Sequence, residues 1–282
     1  MQRIVCDLPK SFELIAGSCT HIGSIMCHES GIEYAVDYVA SGKNRRFLHL
    51  GDVIEYIPPD DVKRFNPAPS EHKMQEIISP TEQTKKAVKL FNPIKNKIIC
   101  SLIGNHERKY SRYGDLIKDI FCSDLNIPYG TSLCRIIIKN NNRPMFNISA
   151  MHGKRIFKSN AKDYEQREAN KKAALKLYLQ NQMGDCAIQL CGHAHWIGIV
   201  PPSNILYFLD GENGVQQNYL KGLTHAGYIP PDQRWYACCG SARKSRLDGY
   251  DDYAQEYEPT DLGFVKIVVE DGEIVTLERF LI

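Results

Sequence analysis

Short apolar runs recur along the chain, each closing on Gly, Ser, Asp or Asn, and stretches of helical spacing lie between them. Residues 12–19 (FELIAGSC), 46–52 (RFLHLGD) and 98–103 (IICSLI) have strand length, so each is expected to deliver polar residues at its C-terminal end. Residues 30–40 set Ile32, Tyr34, Ala35, Tyr38 and Val39 at helical intervals, and a longer segment at 70–91 predicts a second helix. Asn66-Pro67-Ala68-Pro69 breaks the chain before it. Residues 134–139 and 146–151 read as paired strands, 187–191 as a buried strand, and 164–179, rich in Ala, Lys, Glu and Leu, as a helix. Two β-rich runs within 263–282 flank Asp271-Gly272, a hairpin signal. This alternation predicts a layered α/β architecture. Residues 56–69 and 211–234 carry Pro, Gly and aromatics and are read as irregular segments at the rim of a sheet, candidates for substrate-rim loops.

A length of 282 residues suffices for one full core, and a single domain over 1–282 is expected. The net charge of +2 gives no general attraction for nucleic acid, so such a partner requires a local basic patch. The first residues show no signal-peptide pattern, and no run of 18 apolar residues occurs. A cytoplasmic protein with no membrane partner is the expectation. Ten cysteines without CxxC pairing argue against a disulfide scaffold or zinc finger. Most are read as small buried hydrophobes; Cys19 is the exception.

The polar residues that follow the apolar runs form a short set: Cys19-Thr20-His21, Gly51-Asp52, Gly104-Asn105-His106-Glu107, His152-Gly153 and Gly192-His193-Ala194-His195. Strand ends of a parallel sheet meet at one edge, so together these residues suggest one metal-binding cluster. Imidazole, carboxylate and amide oxygen suit Mn, Fe, Zn or Ni better than Ca or Mg. His193 and His195, two apart, can reach two neighbouring metals if Gly192 permits a tight turn. His49 sits inside an apolar run, while His28, His72 and His225 lie outside the set; all four are read as structural or solvated.

In order and spacing the set resembles the calcineurin-like metallophosphoesterase superfamily, whose signature runs DxH, GDxxD, GNHE/D, a lone His and GHxH. The match extends from residue 12 to His195. Residues 235–282, with Gly240-Ser241 and 250–263, are similar to prophage-type members. The resemblance implies a four-layer α/β/β/α sandwich with two divalent transition metal ions at the strand ends. It implies that Asp52 bridges both ions, that Cys19, His21 and His195 complete the first site, and that Asn105, His152 and His193 complete the second. His106 is then the catalytic histidine that protonates the leaving oxygen or steadies the phosphate, and Glu107 either orients it or ends the loop. Two divalent ions about 3.5–4 Å apart activate a water to hydroxide and clamp the phosphate, so no nucleophilic side chain is needed.

Cys19 stands where the family has Asp. A thiolate keeps the charge and biases the site toward Zn or Fe; a thiol that does not ligate leaves the first site empty. Glu55 ends the GDxxD motif, without the Asp-Arg-Gly of Ser/Thr protein phosphatases. Lys154 and Arg155 follow His152 and are candidates to face the substrate phosphate, with Arg243, Lys244 and Arg246 a second basic group. Tyr110, Tyr113 and Trp196 are candidates to stack on bases, or core residues. The leading functional expectation is a phosphodiesterase or nuclease acting on nucleic acid or nucleotides. A phosphomonoesterase and a non-catalytic binding module with a disabled first site are the alternatives. Oligomeric state is not legible.

Overall fold

In the computed structural model the described residues are 1–62, 64–65, 79–212, 214–220, 222, 224, 226–248 and 258–282. Residues 66–78, including His72, and 250–257 lie outside them, as does His225. The chain is a mixed α/β fold. It opens with β1 (Gln2–Asp7), β2 (Phe12–Gly17), α1 (Glu29–Ser41) and β3 (Arg45–His49). There follow α2 (Pro80–Phe91), β4 (Ile98–Ser101), the short α3 (Asn105–Arg108) and a π-helical turn at Ile117–Cys122 that runs into α4 (Ser123–Leu125). Next come β5 (Leu133–Asn140), β6 (Arg143–Met151), α5 (Tyr164–Leu179), β7 (Ile188–Cys191), β8 (Ile197–Val200), β9 (Ile205–Gly211) and β10 (Gly214–Leu220). The chain closes with β11 (Trp235–Cys239), β12 (Gly263–Glu270) and β13 (Glu273–Leu281).

One sheet has the order β1-β5-β6-β7-β11-β8 and the other β13-β12-β2-β3-β4. Within them β2, β3 and β4 run parallel, and so do β6, β7 and β11. Strand alternation sorts the side chains. Leu14 and Ala16 of β2 join Ile148 of β6, Leu190 of β7 and Ala237 of β11 in one core shared by both sheets. Ile15 faces the other way, onto Ile32, Val36 and Val39 of α1 and Phe91 of α2. Tyr236 and Cys238 of β11 face Leu175 and Leu179 of α5.

Helix α5 starts where Asp163 accepts the Gln166 N–H at 2.8 Å, an N-cap. Ser79 caps α2, whose first residue is Pro80. The terminal hairpin turns through Asp271 and Gly272, both at positive φ. The segment read as irregular at 211–234 contains a strand, since β10 pairs antiparallel with β9 to make a two-stranded sheet of its own. Gly211 and Gly214 pair with each other at the closed end of this hairpin. Ile205, Leu206, Phe208 and Leu209 of that hairpin remain exposed. The first residues form β1, parallel to β5, a strand that the sequence pattern does not announce. All ten cysteines are free, and all but Cys6 are buried. No helix among the described residues is long and apolar enough to cross a membrane.

Candidate metal centre

The loops after β2, β3, β4, β6 and β7 meet at one place. Cys19, His21, Asp52, His193 and His195 all adopt left-handed backbone, with φ between 50° and 71°. Non-glycine residues avoid this region, and a concentration of such strain marks a functional site. Backbone bonds hold the strained loops: Cys19 N–H donates to Gly51 O at 2.9 Å, and Ala242 N–H to Cys19 O at 3.1 Å. The turn at Gly192 differs from the expectation. Gly192 is not at positive φ; the left-handed residues are His193 and His195 themselves. Gly192 is required by close approach, because a Cβ there would lie 2.0 Å from Ser18 Oγ.

The expected ligands fall into two groups around Asp52. His21 Nε2 and His195 Nε2 face each other at 3.0 Å. Asn105 Oδ1 lies 3.0 Å from His152 Nε2 and 2.7 Å from His193 Nδ1. Asp52 Oδ2 is 3.1 Å from His152 Nε2 and 4.0 Å from Cys19 Sγ. Its Oδ1 accepts the His106 N–H at 3.0 Å. The ligand atoms of Cys19, His21 and His195 lie within 4.8 Å of one another, as do those of Cys19, Asp52 and His152, and those of His21, Asp52 and His106. Cys19, His21, Asp52, His106 and His152 are buried, whereas Asn105, His193 and His195 are partly exposed, so the cluster opens to solvent on their side.

A hydrogen bond behind His152 and a carboxylate contact behind His21 aim the two imidazoles. His152 Nδ1 lies 2.7 Å from Leu50 O, and His21 Nδ1 lies 2.5 Å from the Glu55 carboxylate. The His152 Nδ1 therefore carries its proton, and in both rings Nε2 turns to the cluster, the arrangement of metal-ligating histidines. His106 Nδ1 faces Glu55 O at 3.3 Å.

The charge balance is that of a cation site. Burial pushes the Asp52 carboxyl up, but the imidazoles of His152, His106 and His21 overcome it and hold it well below the usual carboxylate range. Burial presses His152 down, and Asp52 raises it to a net upward shift. Burial, with His21 and Arg243 nearby, drives His195 well down, and burial with His152 nearby brings His193 to about 4. Burial and then the Asp52 charge push the Cys19 thiol well up. Burial thus leaves His193 and His195 as unprotonated acceptors, and a divalent cation bound here would displace the protons that Cys19 and His152 keep. The residues present fit one.

Two carboxylates have roles that only packing shows. Glu55 is fully buried; burial raises it, and His21 and His106 bring it down to about 2. The signal for it in sequence is a single acid in the apolar run Val53-Ile54-Glu55-Tyr56. Glu107 does not reach the His106 ring through any described contact. It accepts the N–H groups of Gly104 at 2.8 Å, Ile54 at 3.1 Å and Asp52 at 3.3 Å, tying two of the loops together. Burial and the Asp52 charge raise it to about 7. His49 is structural: it takes the Gly51 N–H on Nδ1 at 3.1 Å and contacts Thr20 Oγ1 with Nε2 at 3.1 Å, and burial brings it to about 3.

The remaining candidates are scattered. Lys154 and Arg155 are exposed in the coil after His152, without a side-chain polar contact among the described residues. Arg243 is buried, and its charge acts on Glu55 and His195. Trp196 donates to Glu168 at 3.2 Å and packs on Phe157 beneath α5, so it is not free to stack on a base.

No family model matches the chain, and no curated protein matches it. Among solved structures it is similar to the NAD nucleotidase (NadN) of Haemophilus influenzae, at 11% identity with a TM-score of 0.38. That alignment covers 96% of this chain and 49% of the other, so the chain spans about half the length of that protein.

Proposed function

We propose that the chain is a metal-dependent phosphoester hydrolase of the calcineurin-like metallophosphoesterase kind, acting as a phosphodiesterase or nuclease. The observation that carries this reading is the shared position of Asp52 between the His21/His195 pair and the Asn105/His152/His193 group. In this reading Cys19, His21, Asp52 and His195 hold one divalent ion, and Asp52, Asn105, His152 and His193 hold a second. Mn, Fe, Zn and Ni match the donor set. Bound there, the ions supply positive charge for the phosphate oxygens and lower the pKa of water.

The chain's own residues do the rest. His106, with Nδ1 turned to Glu55 O, gives a proton from Nε2 to the leaving oxygen as the imidazolium, a form that burial opposes and the Asp52 and Glu55 charges favour. Glu55 fixes the His21 ring, and Glu107 fixes the loops that carry Asp52 and Asn105. Lys154 and Arg155, exposed in the coil that follows His152, are in this reading the residues that meet substrate phosphate. The two sheets with their shared core, and the helices against their outer faces, support the four-layer α/β/β/α arrangement within one domain. The test is turnover of bis-nitrophenyl phosphate against mono-nitrophenyl phosphate with added Mn. Faster diester turnover is expected. Preference for the monoester would make the protein a phosphomonoesterase, and no turnover of either would leave a binding module in which Cys19 has disabled the first site.

A further inference from the structure

The loop after Asp52 and the helix and loop after Asn105 line an open cleft of about 780 Å³, whose lining includes Tyr56, Asp61, Arg108, Lys109, Arg112 and Tyr113. Tyr56 directly follows Glu55, which touches His21, and Arg108 ends the helix that carries Asn105 and His106. The cavity therefore begins within one helical turn of His106, about 5 Å along the chain axis. Its volume suits a nucleotide-sized group.

The charges inside are unevenly matched. Lys109 donates to Asp61 at 3.1 Å, and Arg64 pairs with the same carboxylate. Arg108, half-buried, and Arg112, exposed, have no carboxylate partner among the described residues. Asp60 is the other acid in the lining and is exposed. Guanidinium groups presented in this way suit a phosphate, which they can bind in bidentate fashion.

Three tyrosines run from the core to the solvent. Tyr56 is 9% exposed and meets Tyr110 edge-on with centroids 5.6 Å apart; Tyr110 meets Tyr113 at 5.3 Å. Tyr113 is 75% exposed. A ring anchored by its neighbours and open to solvent is a stacking platform that loses little entropy on binding.

We propose that this cleft binds the nucleotide next to the scissile phosphate of a single-stranded nucleic acid, its base on Tyr113 and its phosphate at Arg108 and Arg112. From the preceding reading the inference takes only that the scissile group is a phosphodiester. Single strands are specified because a base must be unpaired to offer its face to a side chain.

The experiment is fluorescence anisotropy with labelled phosphorothioate oligothymidylate, which resists hydrolysis, on the full chain as purified. Tyr113→Ala and Arg112→Ala should each weaken binding about tenfold, and Tyr113→Phe should bind like the parent because the ring is kept. Lys172→Ala, on the exposed face of α5, controls for general charge. The inference is overturned if the parent does not bind, if Tyr113→Ala and Arg112→Ala bind as the parent does, if Lys172→Ala weakens binding equally, or if the annealed duplex binds as well as the single strand. Failure of the hydrolase reading shows separately, as absent turnover of bis-nitrophenyl phosphate by a protein whose oligonucleotide binding still depends on Tyr113.

Discussion

Asp52→Asn is expected to cut turnover of bis-nitrophenyl phosphate on the order of 10³-fold while leaving the fold intact. Asparagine has the same shape and can still accept the His106 N–H that Asp52 Oδ1 takes at 3.0 Å. What it lacks is charge, at the one position that both ligand groups share. Asp52 is the only carboxylate within the three convergent groups, the other members being Cys19 and histidines. Its loss leaves imidazoles facing one another with no anion among them, so metal content should fall together with turnover. The assay is steady-state hydrolysis with added Mn, with far-UV circular dichroism to show that the variant is folded. Full activity in Asp52→Asn would remove the shared carboxylate from the mechanism.

Glu107→Ala is expected to act on stability first. Its carboxylate is the acceptor for three backbone N–H groups of the Asp52 and Asn105 loops. Each buried amide left without a partner costs about 1–3 kcal/mol. Allowing for relaxation and water entry, a loss of about 3 kcal/mol corresponds to a fall in Tm of about 5 °C for a chain of 282 residues. Thermal unfolding of the metal-free protein measures this directly, and Glu107→Gln should recover part of the loss because one acceptor oxygen remains. An unchanged Tm in Glu107→Ala would show that the loops are held by other contacts, such as the Cys19 N–H to Gly51 O bond.

The sequence was most legible where local rules decide. The helix at Tyr164–Leu179 has a capping Asp163 and strong helix formers, and the strand ends that carry Cys19, Asp52, Asn105, His152 and His193 each close an apolar run. Residues whose role depends on distant partners were not legible. Glu55 acquires meaning only when His21, 34 positions earlier, packs against it. Glu107 sits next to a proposed catalytic histidine in sequence, yet its carboxylate points to backbone amides. Gly192 looked like a turn glycine and is instead the floor against Ser18, because the left-handed angles fall on the histidines. The hairpin of β9 and β10 is hidden by the glycines at its closed end and by a strand apolar on both faces, which local patterning cannot tell from a buried segment.

Cys19 ties these observations together. Buried beside Asp52 with its thiol pushed well up, it is neutral unless a cation is present to hold it as thiolate. Elemental analysis of protein purified without chelator therefore tests the account most directly. Close to two transition metal ions per chain is the expected result, with Cys19 completing the first site. A chain that carries none, and takes up none when Mn or Zn is added, would contradict it.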